Sequence, residues 1–340
     1  MDEGINSFVQ YLTQEQWERD YPSRRGPAYK IVDYMKGDKN NISPIMTNSE
    51  SIFQFGNNAY GKPATALNIL RETILGRELF DHAFKTYSQR WAFKHPSPAD
   101  LFRTMEDASG TDLDWFWRGW FYTTDNVDIA IDGVEYFKLD SKNPEVENVL
   151  AKAENSKAPK RIGSIRNEKA IEKTYDEQDR SLRDFYTEYD PLAVSILDKE
   201  DYQKYLKKLS AKEKALLTAG NNYYEVTFKN MGGLPMPIII QFEFTDGTTE
   251  VQKIPAEIWK MDQEKVSKVF VMEKEVQQIM LDPFLETADT DTGNNYYPPR
   301  QEQSKFELFK SRRFGRGQTA GENPMQRANR AKEKMKQGSN

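Results

Sequence analysis

Two histidines, His82 and His95, are the only imidazoles in this 340-residue chain, and it contains no cysteine. Two metal ligands on one helical face would need an H-E-x-x-H pattern, and none occurs. His82 therefore reads as a helix-surface or packing residue. A Ser-His-Asp or Cys-His site has no better support. The D-T-D-T-G-N-N stretch at 289–295 raises calcium, since Asp289 and Asp291 match the first two oxygen positions of a binding loop. Gly293 falls one residue early, however, and Arg300 stands where the bidentate glutamate belongs. A plain loop is the better reading. Two further residues could do chemistry. Glu3 is a carboxylate in the first turn of a helix, where the dipole favours it. Tyr60 stands in a Gly/Asn-rich loop just before another helix. Taken singly, each has a bland reading.

These residues must be positioned by folded elements, and the composition allows that. Apolar residues make up 37% of the chain and charged residues 30%, with six Trp, seventeen Tyr and nineteen Phe. Such a supply fills a sizeable core, and the length suits two domains. A formal net charge of −5 argues against a nucleic-acid binder. Without cysteine, disulfides and thiolate metal sites are excluded. No apolar run is long enough to span a membrane. Met1 is followed by two acids rather than by the basic and apolar regions of a signal peptide.

Residues 1–124 read as a helical bundle. Ile5, Phe8, Val9 and Leu12 give one apolar face. A short helix over A-Y-K-I-V-D-Y-M follows the break at Gly26-Pro27. Leu67, Leu70 and Ile74 continue the helical period, with Gly76 as a stop. Leu79, Ala83, Phe84, Tyr87 and Trp91 form the next face. Ser97 caps a helix that begins at Pro98 and stops at Gly110. Asp112 caps the aromatic helix L-D-W-F-W-R-G-W-F-Y. The period then changes to two. Val127, Ile129 and Ile131 alternate towards Asp132-Gly133, a hairpin signal. Strands resume at about 222, with a turn at Asp246-Gly247 and a strand running through T-T-E-V-Q-K-I-P-A-E-I-W. The expected fold is α+β: helices, then a small β-sandwich made of 125–140 and 221–285. A charged, partly helical insertion occupies 141–220. Residues 300–340, with ten Lys/Arg against four Glu in the last forty, are expected to be a disordered basic tail.

Three stretches taken together resemble one family. M-D-E-G-I-N-S-F-V-Q-Y-L, A-Y-G-K-P-A-T-A-L-N-I-L and F-D-H-A-F through W-F-W-R-G-W-F-Y look like the segment after the zinc helix of aminopeptidase N-like alanyl aminopeptidases, which are gluzincin metallopeptidases. The resemblance covers about residues 1–124. It implies the helical half of a thermolysin-like catalytic domain and hydrolysis of peptide bonds with one Zn2+. It assigns Glu3, in Asp2-Glu3-Gly4, as the third zinc ligand, and Tyr60, in Y-G-K-P-A, as the residue that hydrogen-bonds the oxyanion. Pro63 departs from the glycine that many members carry. The resemblance further implies that the H-E-x-x-H helix, its general-base glutamate and the G-x-M-E-N strand precede Met1. This chain alone would then bind zinc poorly and be inactive. Peptide or protein substrates, and the other half of the catalytic domain, are the implied partners. A bacterial periplasmic, envelope or secreted setting is implied as well. The rival expectation is a non-catalytic helical and β-sandwich interaction module, with Glu3 and Tyr60 as relics.

Overall fold

In the computed structural model, which describes residues 1–300, helix α1 (Asp2–Trp17) opens with Asp2 and Glu3 in its first turn. Its inward face carries Gly4, Ser7 and Phe8, and the Phe8 ring meets Phe80 and Phe84 edge-on at 5.5 and 5.7 Å. After a single turn, α2 (Val32–Met35), the chain winds through a π-helical turn, Gly56–Gly61, directly into α3 (Lys62–Ile69). Every residue of α3 is buried, as in a helix covered on all sides. A second π turn, Leu70–Ile74, follows. Gly76, at φ +79°, then makes the expected break before α4 (Arg77–Trp91).

Local capping explains the next two helices. Ser97 and Asp100 form a reciprocal capping box on α5 (Pro98–Ser109), and Gly110 ends it in the left-handed region at φ +63°. Helix α6 (Asp114–Tyr122) starts one residue later than expected: Leu113 is its N-cap, while Asp112 accepts the Asp114 N–H at 3.1 Å. Phe102 of α5 stacks on Trp117 of α6 at 4.5 Å.

The β part corrects two expectations. Strand β1 (Ile129–Lys138) runs straight through Asp132-Gly133, and its register against β2 (Asn222–Asn230) shifts between Ile131 and Gly133. The glycine serves a bulge rather than a hairpin, because the partner strand arrives only after the whole 141–220 segment. Gly247, at φ +79°, does turn where expected, between β3 (Ile238–Phe244) and β4 (Thr249–Ile254). The stretch beyond Ile254 leaves the sheet. Pro255 has no N–H for a ladder, and Ala256–Lys260 form a 3-10 turn whose Trp259 donates to the Met236 carbonyl at 2.8 Å. Strands β5 (Lys265–Met272), β6 (Val276–Leu281) and β7 (Tyr296–Tyr297) complete two antiparallel sheets, ordered β1-β2-β5 and β4-β3-β6-β7. Phe242 meets Phe270 across them at 5.0 Å. Helices with antiparallel sheets make the fold α+β.

One apolar core runs from Phe8 to Ala288. It crosses from helices to sheets where Leu234 packs on Gly119, whose missing Cβ would lie 2.6 Å from Leu234 Cδ2. The segment between β1 and β2 is built differently. Its helices are α7 (Pro144–Lys157), α8 (Ile162–Ala170), α9 (Tyr175–Gln178), α10 (Phe185–Glu188), α11 (Ile196–Lys208) and α12 (Ala211–Thr218). None of α7, α8, α9, α11 or α12 buries a residue. The Lys199–Glu145 and Lys152–Asp190 pairs, at 2.7 and 2.6 Å, join exposed side chains and contribute little. Opening this segent costs little apolar burial. Limited proteolysis followed by mass spectrometry should therefore cut first within 141–220. First cuts inside α3 or β3 would contradict that.

The 289–295 stretch is a latch on β1, in keeping with the plain-loop reading. The Thr290 N–H and hydroxyl both donate to the Val127 carbonyl at 2.9 Å. Asp289 accepts the N–H groups of Ile129 and Asp291 at 3.3 and 2.9 Å. Burial pushes the Asp289 carboxyl up to about 6, against the pull of those hydrogen bonds. With a folded value above the unfolded one, the group favours folding at low pH. That contribution fades as pH rises from about 4 through 6. A carboxyl-carbon NMR titration should find the Asp289 midpoint near pH 6; a midpoint at the ordinary aspartate value would refute the effect of burial.

Candidate functional site

Tyr60 was expected in a loop, but it lies inside the π-helical turn Gly56–Gly61. Here the Lys62 N–H reaches back five residues to the Asn57 carbonyl. Pro63 is the local reason. It has no N–H to return to Ala59, and its ring crowds that carbonyl in ordinary α winding. A wider turn relieves the conflict, and π turns recur at functional sites. Two buried polar residues hold the turn in place. The Asn58 amide donates to the carbonyls of Ser43 and Pro44 at 2.7 and 3.1 Å. The Lys62 ammonium donates to the Thr123 carbonyl at 3.1 Å, just beyond α6.

The two candidate residues meet because two helices approach closely. A Cβ on Gly4 would stand 2.2 Å from Pro63 Cγ and 3.2 Å from the Ala59 carbonyl oxygen. Only a residue without a side chain lets α1 lie against the start of α3. Pro63, which departs from the family pattern, is thus the surface that Gly4 packs on. This approach sets the half-buried Glu3 against Tyr60. Hydrogen bonding to Glu3 raises the Tyr60 pKa, with burial and the negative charge of Glu3 adding to it. The Arg25 guanidinium lies 4.5 Å from the Tyr60 ring centroid and opposes the rise. Phe55 meets the ring edge-on at 5.8 Å. The phenol is therefore a protonated donor at neutral pH, held on its face, on its edge and at its hydroxyl.

Gly4→Ala should destabilise the chain by about 1–3 kcal/mol through overpacking, since the methyl meets a ring carbon and a backbone oxygen. Thermal denaturation measures it. An unchanged Tm would mean that the contact with Pro63 is soft.

Glu3 fits one position of a zinc site, a carboxylate at a helix start beside an uncharged hydrogen-bond donor. It does not make the site alone, because a catalytic zinc takes three protein ligands. His82 and His95 are exposed, and neither contributes to a metal-ligand cluster among the described residues. The one grouping there of three potential ligands is Glu106, Asp112 and Asp114, at the α5–α6 turn. Glu106 already accepts the Leu113 N–H at 3.0 Å and Asp112 that of Asp114, so these acids shape the turn. Sequence reasoning singled out Glu3 and Tyr60 but not their neighbours Arg25, Asn58 and Lys62. The only local signal for Arg25 was its position in S-R-R-G-P, two arginines before a break.

The segment that carries Glu3 and Tyr60 is also the one that resembles known proteins. Residues 1–120 match the model of the peptidase family M1 domain. A probable aminopeptidase 1 of Sulfurisphaera tokodaii is 24% identical over 145 residues, covering 39% of this chain and 18% of that protein. A crystal structure of Legionella pneumophila aminopeptidase A in complex with aspartic acid aligns at a TM-score of 0.41 and 12% identity, over 84% of this chain and 23% of that one. The chain thus spans about a fifth of the length of either protein. Residues 1–120 of this chain are accordingly similar to a segment of the peptidase family M1 domain.

Proposed function

We propose that this chain supplies part of the active site of a zinc-dependent aminopeptidase that hydrolyses peptide bonds. Residues 1–124 are the helical half of its catalytic domain, 125–140 with 221–285 its β-sandwich domain, and 141–220 an insertion. Glu3 is the third zinc ligand and Tyr60 the donor to the oxyanion. The observation that carries this reading is the meeting of Glu3 with Tyr60, imposed by the Gly4–Pro63 contact. A zinc ion, when bound, lowers the pKa of its water and polarises the carbonyl. What the chain's own residues do is narrower. The Tyr60 hydroxyl offers a hydrogen bond where charge develops on the carbonyl oxygen. Arg25 and Phe55 hold its ring in that direction.

The donor set here is incomplete, so the other two ligands and the general base come from protein outside these residues. The chain alone is inactive on this reading. The rival, a non-catalytic interaction module, draws on the same incompleteness and predicts a different metal result. Metal analysis decides between them. The chain purified alone should carry far less than one equivalent of zinc and leave alanyl anilides uncleaved. The protein isolated from its source cells should carry one equivalent and lose it with Glu3→Ala. Zinc-free protein from the source would sink the peptidase reading.

A further inference from the structure

A pocket of about 390 Å³ opens next to the Glu3–Tyr60 pair, between α1 and the segment that follows it. Ser7, Gln10 and Gln14 line one side, and Tyr21, Arg24 and Arg25 the other. Arg25 joins the pocket to the candidate site through the Tyr60 ring, and Ser7 stands one helical turn beyond Glu3.

The arginine wall is held against α1 at two points. The Ser23 hydroxyl donates to the Gln14 amide oxygen at 2.8 Å. Gly26, at φ +109°, lets the chain lie flat on Tyr11, where a Cβ would come within 2.4 Å of the ring. No carboxylate lines the pocket among the described residues. The arginine ion pairs found among those residues belong to Arg71, Arg77 and Arg183. Arg24 and Arg25 thus lack an acidic partner there, although the chain as a whole carries a net charge of −5. A paired fork of guanidinium donors matches a carboxylate. The amides and hydroxyl opposite can hydrogen-bond a peptide backbone.

We propose that this pocket receives an acidic side chain of a peptide, next to the bond that Tyr60 faces. The identity of the ligand as a peptide rests on the peptidase reading; its negative charge rests on the arginine pair alone. The test is calorimetric titration of the full chain, without zinc, with Ala-Glu-amide and Ala-Gln-amide, which differ by one charge. The acidic peptide should bind about tenfold more tightly, the effect of one good charge-assisted contact. Arg24→Gln should bring the ratio close to one, and Lys85→Gln, exposed on α4, should leave it intact. Equal affinities, no binding by either peptide, or a preference that survives Arg24→Gln would each overturn the proposal. Because no metal is added, this outcome is independent of the zinc experiment.

Discussion

Tyr60→Phe, introduced into the zinc-loaded protein from its source, should lower kcat by about 10²–10³-fold, the range for loss of a single oxyanion donor. KM should move much less, since on the proposed reading the hydroxyl acts on charge that develops only in the transition state. The substitution is conservative in every other respect. The ring keeps its place beneath Arg25 at 4.5 Å and against Phe55 at 5.8 Å, and the Gly4–Pro63 contact is untouched. What disappears is the hydroxyl that faces Glu3. Tyr60→Phe should therefore bind zinc as the parent does, whereas Glu3→Ala should not. A Tyr60→Phe enzyme with undiminished kcat would remove this residue from the chemistry and leave Glu3 in question. Loss of zinc together with activity would instead make the hydroxyl a support for the ligand.

What could be read from the sequence was local, and what could not was set by contacts between distant segments. The Ser97 cap and the stops at Gly76 and Gly110 depend on residues within one turn of each other, and all three stand where the pattern placed them. The π turn at Tyr60 does not show in the apolar period, because a proline in the first turn of a helix reads equally well as ordinary α winding. Asp132-Gly133 carries a genuine turn signal. The strand that pairs there comes from beyond residue 220, and pairing with it turned the signal into a bulge. Glu3 and Tyr60 themselves were singled out only through family resemblance. Neither spacing nor composition brings a first-turn carboxylate to a tyrosine across an intervening loop. Arg25 and the pocket it lines had no comparable signal, since a stacking contact on a ring far along the chain leaves no local pattern.

Lys62 gives the largest stability effect expected. It is 1% exposed, and burial, reinforced by the neighbouring Lys39 charge, lowers its pKa to about 8. Asp125 opposes that shift. The ammonium stays in place because it meets the end of α6. It donates to the Thr123 carbonyl at 3.1 Å while Lys39 donates to that of Thr124 at 2.7 Å, and cations are favoured at a helix C-terminus. In the unfolded chain a lysine holds its proton up to about pH 10.4. Between the two values the unfolded state binds more protons than the folded one, so stability must rise with pH across that window. The buried charge costs folding about 3 kcal/mol at neutral pH, and the cost lifts as Lys62 deprotonates. Lys62→Met removes the charge and keeps most of the volume. Its stability measured against the parent should therefore exceed it most near pH 7, and the gap should shrink by about 3 kcal/mol by pH 10.5. Denaturant unfolding of both proteins at several pH values measures that difference, in which titrations common to both cancel. Parallel curves would mean that Lys62 is solvated more freely than its burial implies. The effect would reach the site as well. Lys62 lies two residues from Tyr60 and ties the π turn to the end of α6, so loss of its hydrogen bond should loosen the turn that aims the phenol at Glu3.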